Sequence, residues 1–303
     1  MFQNVFFDDC IAIACVTLVS IFGLISNSTS FYITLTSSHF RNAFGILCSG
    51  FLICNLQDIF VHFTWCTIVL SIKSPILSSS QLFFVRLVGL ILNAGWFGSL
   101  LIHFFTALNR FSAFVFATKY NQLWSQSNAF KIVIIAWTSS MVYCSHHLYE
   151  NCSLLFHAAP IYRWLHHNSF HGKICASIDA TASIGIVIAM ACIDFITFIK
   201  MFAYRKAMRS NITRTTGNII SEREIMFFKQ SCKLGLLYIS CVLAFNITPY
   251  FFTNKWVLFT AGTIAWILVK LTFLIFNRKL IYETNFRTVT IVPATNMNMM
   301  SRE

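Results

Sequence analysis

An all-α membrane protein, a seven-transmembrane helix bundle with its N-terminus outside and its C-terminus in the cytoplasm, is the fold this sequence predicts. Three observations carry the prediction. Of 303 residues, 57% are apolar and only 11% are Asp, Glu, Lys or Arg, where a globular chain averages about 45–50% and about 25%. Seven stretches are apolar for about the 20 residues that a helix needs to cross the hydrocarbon layer. The basic residues gather on one side of those stretches. With 33 Phe against 4 Pro and 11 Gly, neither a disordered chain nor a turn-rich β-protein fits. So few charges, spread between apolar runs, also exclude a soluble nucleic-acid binder.

In chain order the spans are expected at Cys10–Leu35, Phe44–Ser71, Leu82–Leu108, Phe130–Tyr149, Ala176–Phe202, Gln230–Phe252 and Trp256–Asn277. Runs such as Ile132–Trp137 do not alternate apolar with polar, so membrane β-strands are excluded. Without water in the bilayer core, each segment must pair its amides internally, which a helix does. The first stretch has no basic leader and reads as a span rather than a cleaved signal peptide. A short outer segment, 1–9, would precede the receptor domain, 10–281, and a cytoplasmic tail, 282–303, would follow it.

Orientation follows the basic residues. Lys73, Arg86, Arg163, Lys173 and Lys255 fall on one side and Lys270 inside the last span, while the rest of the 22 Lys and Arg, including Arg41, Arg110, Lys119, Lys131 and Lys200, fall on the other. The richer side is expected to be cytoplasmic. The N-terminal segment, with Asp8, Asp9 and no Lys or Arg, then lies outside. Tyr204–Arg223, polar and basic, reads as a solvated connection at the inner membrane face.

The third span ends in LNRFSAFVFATKY, Leu108–Tyr120. Together with GLISN (Gly23–Asn27), FRNAFGILC (Phe40–Cys48), FFKQSC (Phe227–Cys232) and IFNRKL (Ile275–Leu280), it resembles the nematode serpentine receptor class x (Srx) family of seven-helix chemoreceptors. The resemblance runs from about Gly23 to Leu280. Ala117 stands where the family pattern has proline, and the family's Asp-Gly pair in the last span is missing. The resemblance implies a rhodopsin-like G-protein-coupled receptor for an environmental or pheromone-like small molecule, in the plasma membrane of a sensory-neuron cilium.

It also implies roles. Asn109-Arg110-Phe111 matches the position where rhodopsin-like receptors carry an acid-Arg-aromatic triplet. Arg110 would be held in the resting bundle and released toward a heterotrimeric G protein; the plainer reading is an Arg at a helix end facing phosphate headgroups. Because Asn109 replaces the acid, any resting lock is expected to be a hydrogen bond rather than an ion pair. Lys119, Tyr120, Arg205, Lys206, Arg209 and Lys229 are expected at the same G-protein-coupling face. A Cys152–Cys175 bridge fits the family's Cys-Trp-Cys pattern with Trp164 between, on the oxidising side. Pairing with Cys66 or Cys144, or free thiols, stay open.

Polar residues inside apolar spans are functional by default. Asn27, Asn55, Lys270 and Asn277 are expected to form a polar core of the bundle. Asp58 lies three residues beyond Asn55, on the same helix face, and reads either as a ligand or cation contact or as a hydrogen-bonded packing residue. The third span has no Asp or Glu, which argues against a retinal counter-ion for Lys270 and against an amine-type receptor. Lys270 is expected to bond polar groups such as Asn55; Asp194 lies at similar depth, but the fifth and seventh helices are not expected to meet.

A ligand cavity between the outer halves of helices three, five, six and seven is expected to involve Asp58, Asn93, Trp96, Asp179, Asn246 and Tyr250. Asn151-Cys152-Ser153 is a glycosylation sequon on the outer side. Six of the 9 histidines, His146, His147, His157, His166, His167 and His171, lie near the same loop. Zinc needs about four ligands at fixed geometry, which such a loop does not promise. They read as ordinary loop residues before metal or proton sensors, so no metal and no cofactor is expected.

No HExxH, GxSxG or GxGxxG motif occurs, so no enzyme is expected. Two rivals remain. One is a channel-forming seven-span chemoreceptor with its N-terminus inside, and the other a membrane protein that does not signal. Gly185 and Ala189 hint at close helix packing, but dimerisation cannot be read from them.

Overall fold

A computed structural model describes residues 2–116, 118–210 and 222–270, with the side chains of 2–5, 39, 204–210 and 222–231 outside that description. Its helices are α1 (Phe2–Thr36), α2 (Ala43–Ile72), α3 (Phe83–Val115), α4 (Gln126–Tyr143), α5 (Phe170–Ser210) and α6 (Glu222–Phe251). The last, α7 (Lys255–Phe259), continues through a π-turn at Thr260–Ile264 and helical residues 265–270. Among the described residues, five stretches are long and apolar enough to cross a membrane: Phe6–Thr36, Ala43–Ile72, Phe83–Val115, Phe170–Ala203 and Cys232–Phe251. They fall on the first, second, third, fifth and sixth predicted spans.

The helix ends differ from the expected ones for local reasons. Asn42 and Ser125 accept hydrogen bonds from the amides of Gly45 and Asn128, so α2 and α4 begin at capped turns. The fourth helix therefore starts at Gln126 and stops at Tyr143, and Cys144–Leu148 tightens into a 3-10 turn. Helix α5 begins six residues before the apolar run, where Ser169 accepts from the amide of Gly172. It runs to Ser210, because helical pairing continues past the hydrophobic stretch once started. Helix α7 starts at Lys255, one residue before the seventh predicted span, and Asn277 lies outside the described residues.

The surface is inverted relative to a protein in water. Phe22 and Ile25 of α1 and Ile188 and Phe195 of α5 are exposed, while Asn27, Asn55, Asp58, Asp179, Asp194 and Lys270 are buried. Lipid accepts the first set and cannot hydrogen-bond the second. Helix α3 is the axis of the bundle, the most buried of the described apolar spans, and it touches α2, α4 and α5. Gln57 of α2 donates to the carbonyl of Ile91 on α3 and accepts from the indole of Trp137 on α4.

Between α4 and α5 the loop is a two-stranded antiparallel hairpin, β1 (Leu154–His157) and β2 (Arg163–His166). Trp164, Tyr162 and Phe156 are among the most deeply buried large side chains, so the hairpin sits in the bundle mouth as a plug. Gly89 of α3 lets it in: a Cβ there would stand 2.1 Å from the carbonyl oxygen of Leu154. Cys152 and Cys175 are disulfide-bonded, with Cα atoms 5.7 Å apart, tying the hairpin's approach to α5.

The N-terminal turn fastens the rim. Tyr162 donates its hydroxyl to Asp9 at 2.7 Å, and Lys73 reaches the same carboxylate at 2.6 Å. Lys255, at the start of α7, pairs with Asp8. Burial and the Asp9 carboxylate push the Tyr162 phenol above its ordinary value, so it stays a donor.

Candidate functional site

Two polar centres and a cavity are strung along the bundle. One centre begins with Arg110, in the last turns of α3. Its Nη2 lies 3.0 Å from Oδ1 of Asp194 on α5, with side chains 7% and 10% exposed. The expectation of a lock made only of a hydrogen bond is corrected here: the acid absent at Asn109 is supplied by another helix. Asn109 instead donates to the hydroxyl of Tyr120 at 3.0 Å, holding the short helical turn Tyr120–Leu123 against α3. Phe111 packs edge-on against Phe116, and Lys119 precedes that turn. Arg205, Lys206 and Arg209 on α5 and Lys229 on α6 have side chains outside the described residues.

The middle centre is built on Lys270 of α7. Its Nζ lies 2.9 Å from Oδ2 of Asp58 on α2, and each side chain is 1% exposed. The ammonium also donates to Ser99 Oγ of α3 at 2.8 Å and to the Tyr238 hydroxyl of α6 at 3.4 Å. An ammonium has three donors, and here each reaches a different helix. Gly95 makes the close approach possible, since a Cβ there would fall 2.0 Å from Asp58 Oδ1. Asn27 of α1 donates to the carbonyl of Lys270 at 3.0 Å and accepts from Asn55 at 3.5 Å. Asn27, Asn55 and Lys270 thus meet in one seam. The acid in it is Asp58, while Asp194, expected at a depth similar to that of Lys270, instead pairs with Arg110 in the other centre.

Above this seam lies a cavity of about 110 Å³, walled by α3, α5, α6, α7 and the hairpin. Asn93, Trp96, Asp179 and Asn246, predicted at this depth, all line it, with His166, Phe245 and Trp266. Trp96 donates its indole N–H to Ser183 Oγ at 3.2 Å and meets Trp266 edge-on at 5.3 Å between centroids. The Lys270 ammonium sits 4.9 Å from the centroid of the Trp96 ring, so the cavity floor is also the roof of the ion pair. Arg163 of β2 closes the side over Phe245, 4.4 Å from the ring centroid, and donates to its carbonyl.

Two expected cavity residues lie elsewhere. Tyr250 follows Pro249 in the last turn of α6 and is 87% exposed, since α6 has run past the bundle interior there. Asp58 lies in the seam below, held by Lys270. Asn151 sits in the 3-10 turn Glu150–Cys152, its carbonyl accepting from Ser169.

Sequence reasoning missed Asp194 as the partner of Arg110 and missed a cluster at the hairpin end of the bundle. Asp179 is surrounded by the Nε2 atoms of His146, His147 and His166 at 3.4, 3.2 and 3.1 Å, by Tyr143, which donates to Oδ1, and by Asn93, which donates to Oδ2. The abundance of histidine near one loop was the signal for it; the fixed hairpin that gathers them was not foreseen.

Comparison with known proteins agrees with this architecture. No curated protein matches the chain. The family described as serpentine type 7TM GPCR chemoreceptor Srx matches residues 17–272, from within α1 to beyond the last described residue of α7. With the greater part of its length matched and its long apolar helices packed around buried polar seams, this multi-pass membrane protein belongs to the Srx family of serpentine chemoreceptors.

Proposed function

We propose that the chain is a chemosensory receptor that crosses the plasma membrane seven times, N-terminus outside, and couples ligand binding to a cytoplasmic heterotrimeric G protein. The observation that carries the reading is the Arg110–Asp194 pair, at the end of α3 opposite the cavity, in a member of a G-protein-coupled chemoreceptor family. A pair joining α3 to α5 is the kind of two-state contact a ligand can bias from a distance. The route is short: cavity to Trp96 and Trp266, then the Lys270 ammonium with its contacts on α2, α3 and α6.

The ligand is a small environmental or pheromone-like molecule, neutral or acidic and lipophilic. The walls are largely apolar, and the one carboxylate among the described lining residues, Asp179, already carries its own polar partners. An amine would have to displace those partners. Coupling would use the inner face around Asn109, Arg110, Phe111, Lys119 and Tyr120 with the basic residues of α5 and α6, and the site of action would be a sensory-neuron cilium.

The test is expression with promiscuous G proteins, scored for calcium or cyclic nucleotide against fractionated environmental and secreted metabolites. A saturable response is expected, lost in Arg110→Ala at unchanged surface level. Normal ligand-evoked signalling by that variant, or an N-terminal tag reached only after permeabilisation, would overturn the reading.

A further inference from the structure

The outer cluster has the chemistry of a metal centre. Ligand atoms about 2.0–2.1 Å from a tetrahedral Zn²⁺ stand roughly 3.3 Å from one another. His147 and His166 place Nε2 3.2 and 3.1 Å from Asp179 Oδ2, and His146 places its Nε2 3.4 Å from the other oxygen, Oδ1. The donor atoms of His146, His147 and Asp179 all fall within 4.8 Å of one another. The set is three nitrogens and one carboxylate oxygen, which suits a borderline-soft divalent ion and not Mg²⁺ or Ca²⁺.

The rings are already turned for it. His146 Nδ1 lies 2.7 Å from the carbonyl of Tyr143, and His147 Nδ1 lies 2.9 Å from the carbonyl of Cys152. A carbonyl oxygen only accepts, so each Nδ1 carries a proton, and Nε2, on the side of Asp179, is the nitrogen left to ligate. A backbone carbonyl on the far nitrogen is the usual outer support of a metal-bound histidine, and a ligating carboxylate is usually hydrogen-bonded too. Here Tyr143 donates to Asp179 Oδ1. The Asn93 amide nitrogen lies 2.7 Å from His147 Nε2 and 2.9 Å from Asp179 Oδ2. That amide bridges lone pair and carboxylate, the role a cation takes over on binding.

We propose that His146, His147, His166 and Asp179 bind a Zn²⁺ ion that staples the hairpin plug to α4 and α5. The ligands come from the turn after α4, from β2 and from α5, three pieces of chain that move relative to one another only if the staple opens. His147 is fully buried and Asp179 is 10% exposed, so water competes poorly for the ion. Binding is measurable without any signalling, so its outcome is separate from that of the receptor assay.

The test uses the full-length chain, purified in detergent and stripped with chelator, with Zn²⁺ titrated against a fluorescent zinc indicator and thermal melting followed in parallel. One Zn²⁺ per chain and a higher melting temperature with Zn²⁺ but not with Mg²⁺ are expected. Loss of an outer support alone typically weakens metal binding about 10–100-fold, so His146→Ala and His166→Ala are each expected to weaken it at least about tenfold. His171→Ala, an exposed loop histidine outside the cluster, is expected to bind as the parent does. Absence of stoichiometric Zn²⁺ binding by the unaltered chain overturns the proposal whatever the variants do. So does equal affinity in the parent and a His146→Ala/His166→Ala double variant.

Discussion

Lys270 of α7 and Asp58 of α2 form an ion pair with both side chains 1% exposed, Nζ to Oδ2 2.9 Å. Removing one member strands the other's charge in a low-dielectric interior, at a cost of about 3–5 kcal/mol, whereas removing both can be neutral. Lys270→Met and Asp58→Asn are each expected to lower the melting temperature and surface yield of the receptor. The double variant is expected to recover most of the loss. Strictly additive losses in the double variant would show that the two residues are not coupled.

Gly95 makes a sharper test of that packing. Its Cβ would meet Asp58 Oδ1 at 2.0 Å, whereas nothing lies within 4 Å of a Cβ at Gly185. Gly95→Ala is expected to destabilise by about 1–3 kcal/mol, as overpacking does, while Gly185→Ala should be neutral or slightly stabilising in a helix. Thermal melting of the two purified variants decides it, and equal melting temperatures would contradict the close approach.

At the inner end, Asp194 holds Arg110 through a charge-assisted contact. Replacing the carboxylate by an amide in Asp194→Asn should forfeit about 1.5 kcal/mol, roughly a tenfold shift between resting and active states. Elevated ligand-independent signalling per receptor at the cell surface is the expected reading. Basal output equal to the parent would remove the pair from the switch.

How much of this was legible beforehand depends on the range of the physics involved. Long apolar runs announce themselves because about 20 consecutive residues report one property, and the spans at Phe83–Val115 and Phe170–Ala203 follow from that alone. Asn93, Trp96, Asp179 and Asn246 could be placed by depth, since a helix climbs at a fixed rise per residue. Pairing across helices could not: Arg110 and Asp194 are separated by 84 positions, and which faces meet is set by helix rotation, which no local pattern records. The hairpin escaped because its strands have four residues each and are fixed by what they plug rather than by their own periodicity.

Topology has its own check at Asn151, which sits in the outer turn beside the disulfide. In a cell line with a secretory pathway, endoglycosidase treatment is expected to increase the gel mobility of the parent chain but not of Asn151→Gln. A parent band that does not shift, with the loop labelled only from the cytosol, would reverse the assigned orientation.

The disulfide contributes through the loop that it closes. Breaking it in Cys152→Ser/Cys175→Ser should cost about 3 kcal/mol on the loop-entropy account. It should also loosen the Cys152 carbonyl that orients His147. Reduced thermal stability in the double variant is the expected result, and an unchanged melting temperature would show that the hairpin is held by its buried aromatics alone.

Asp8 and Asp9 receive tethers from Lys255, Lys73 and Tyr162, so two adjacent residues close the outer circumference of the molecule like a buckle. Fraying the first two turns of α1 would release α7, the end of α2 and the plug at once, turning a closed hoop into a horseshoe. The deep contacts would be left where they stand.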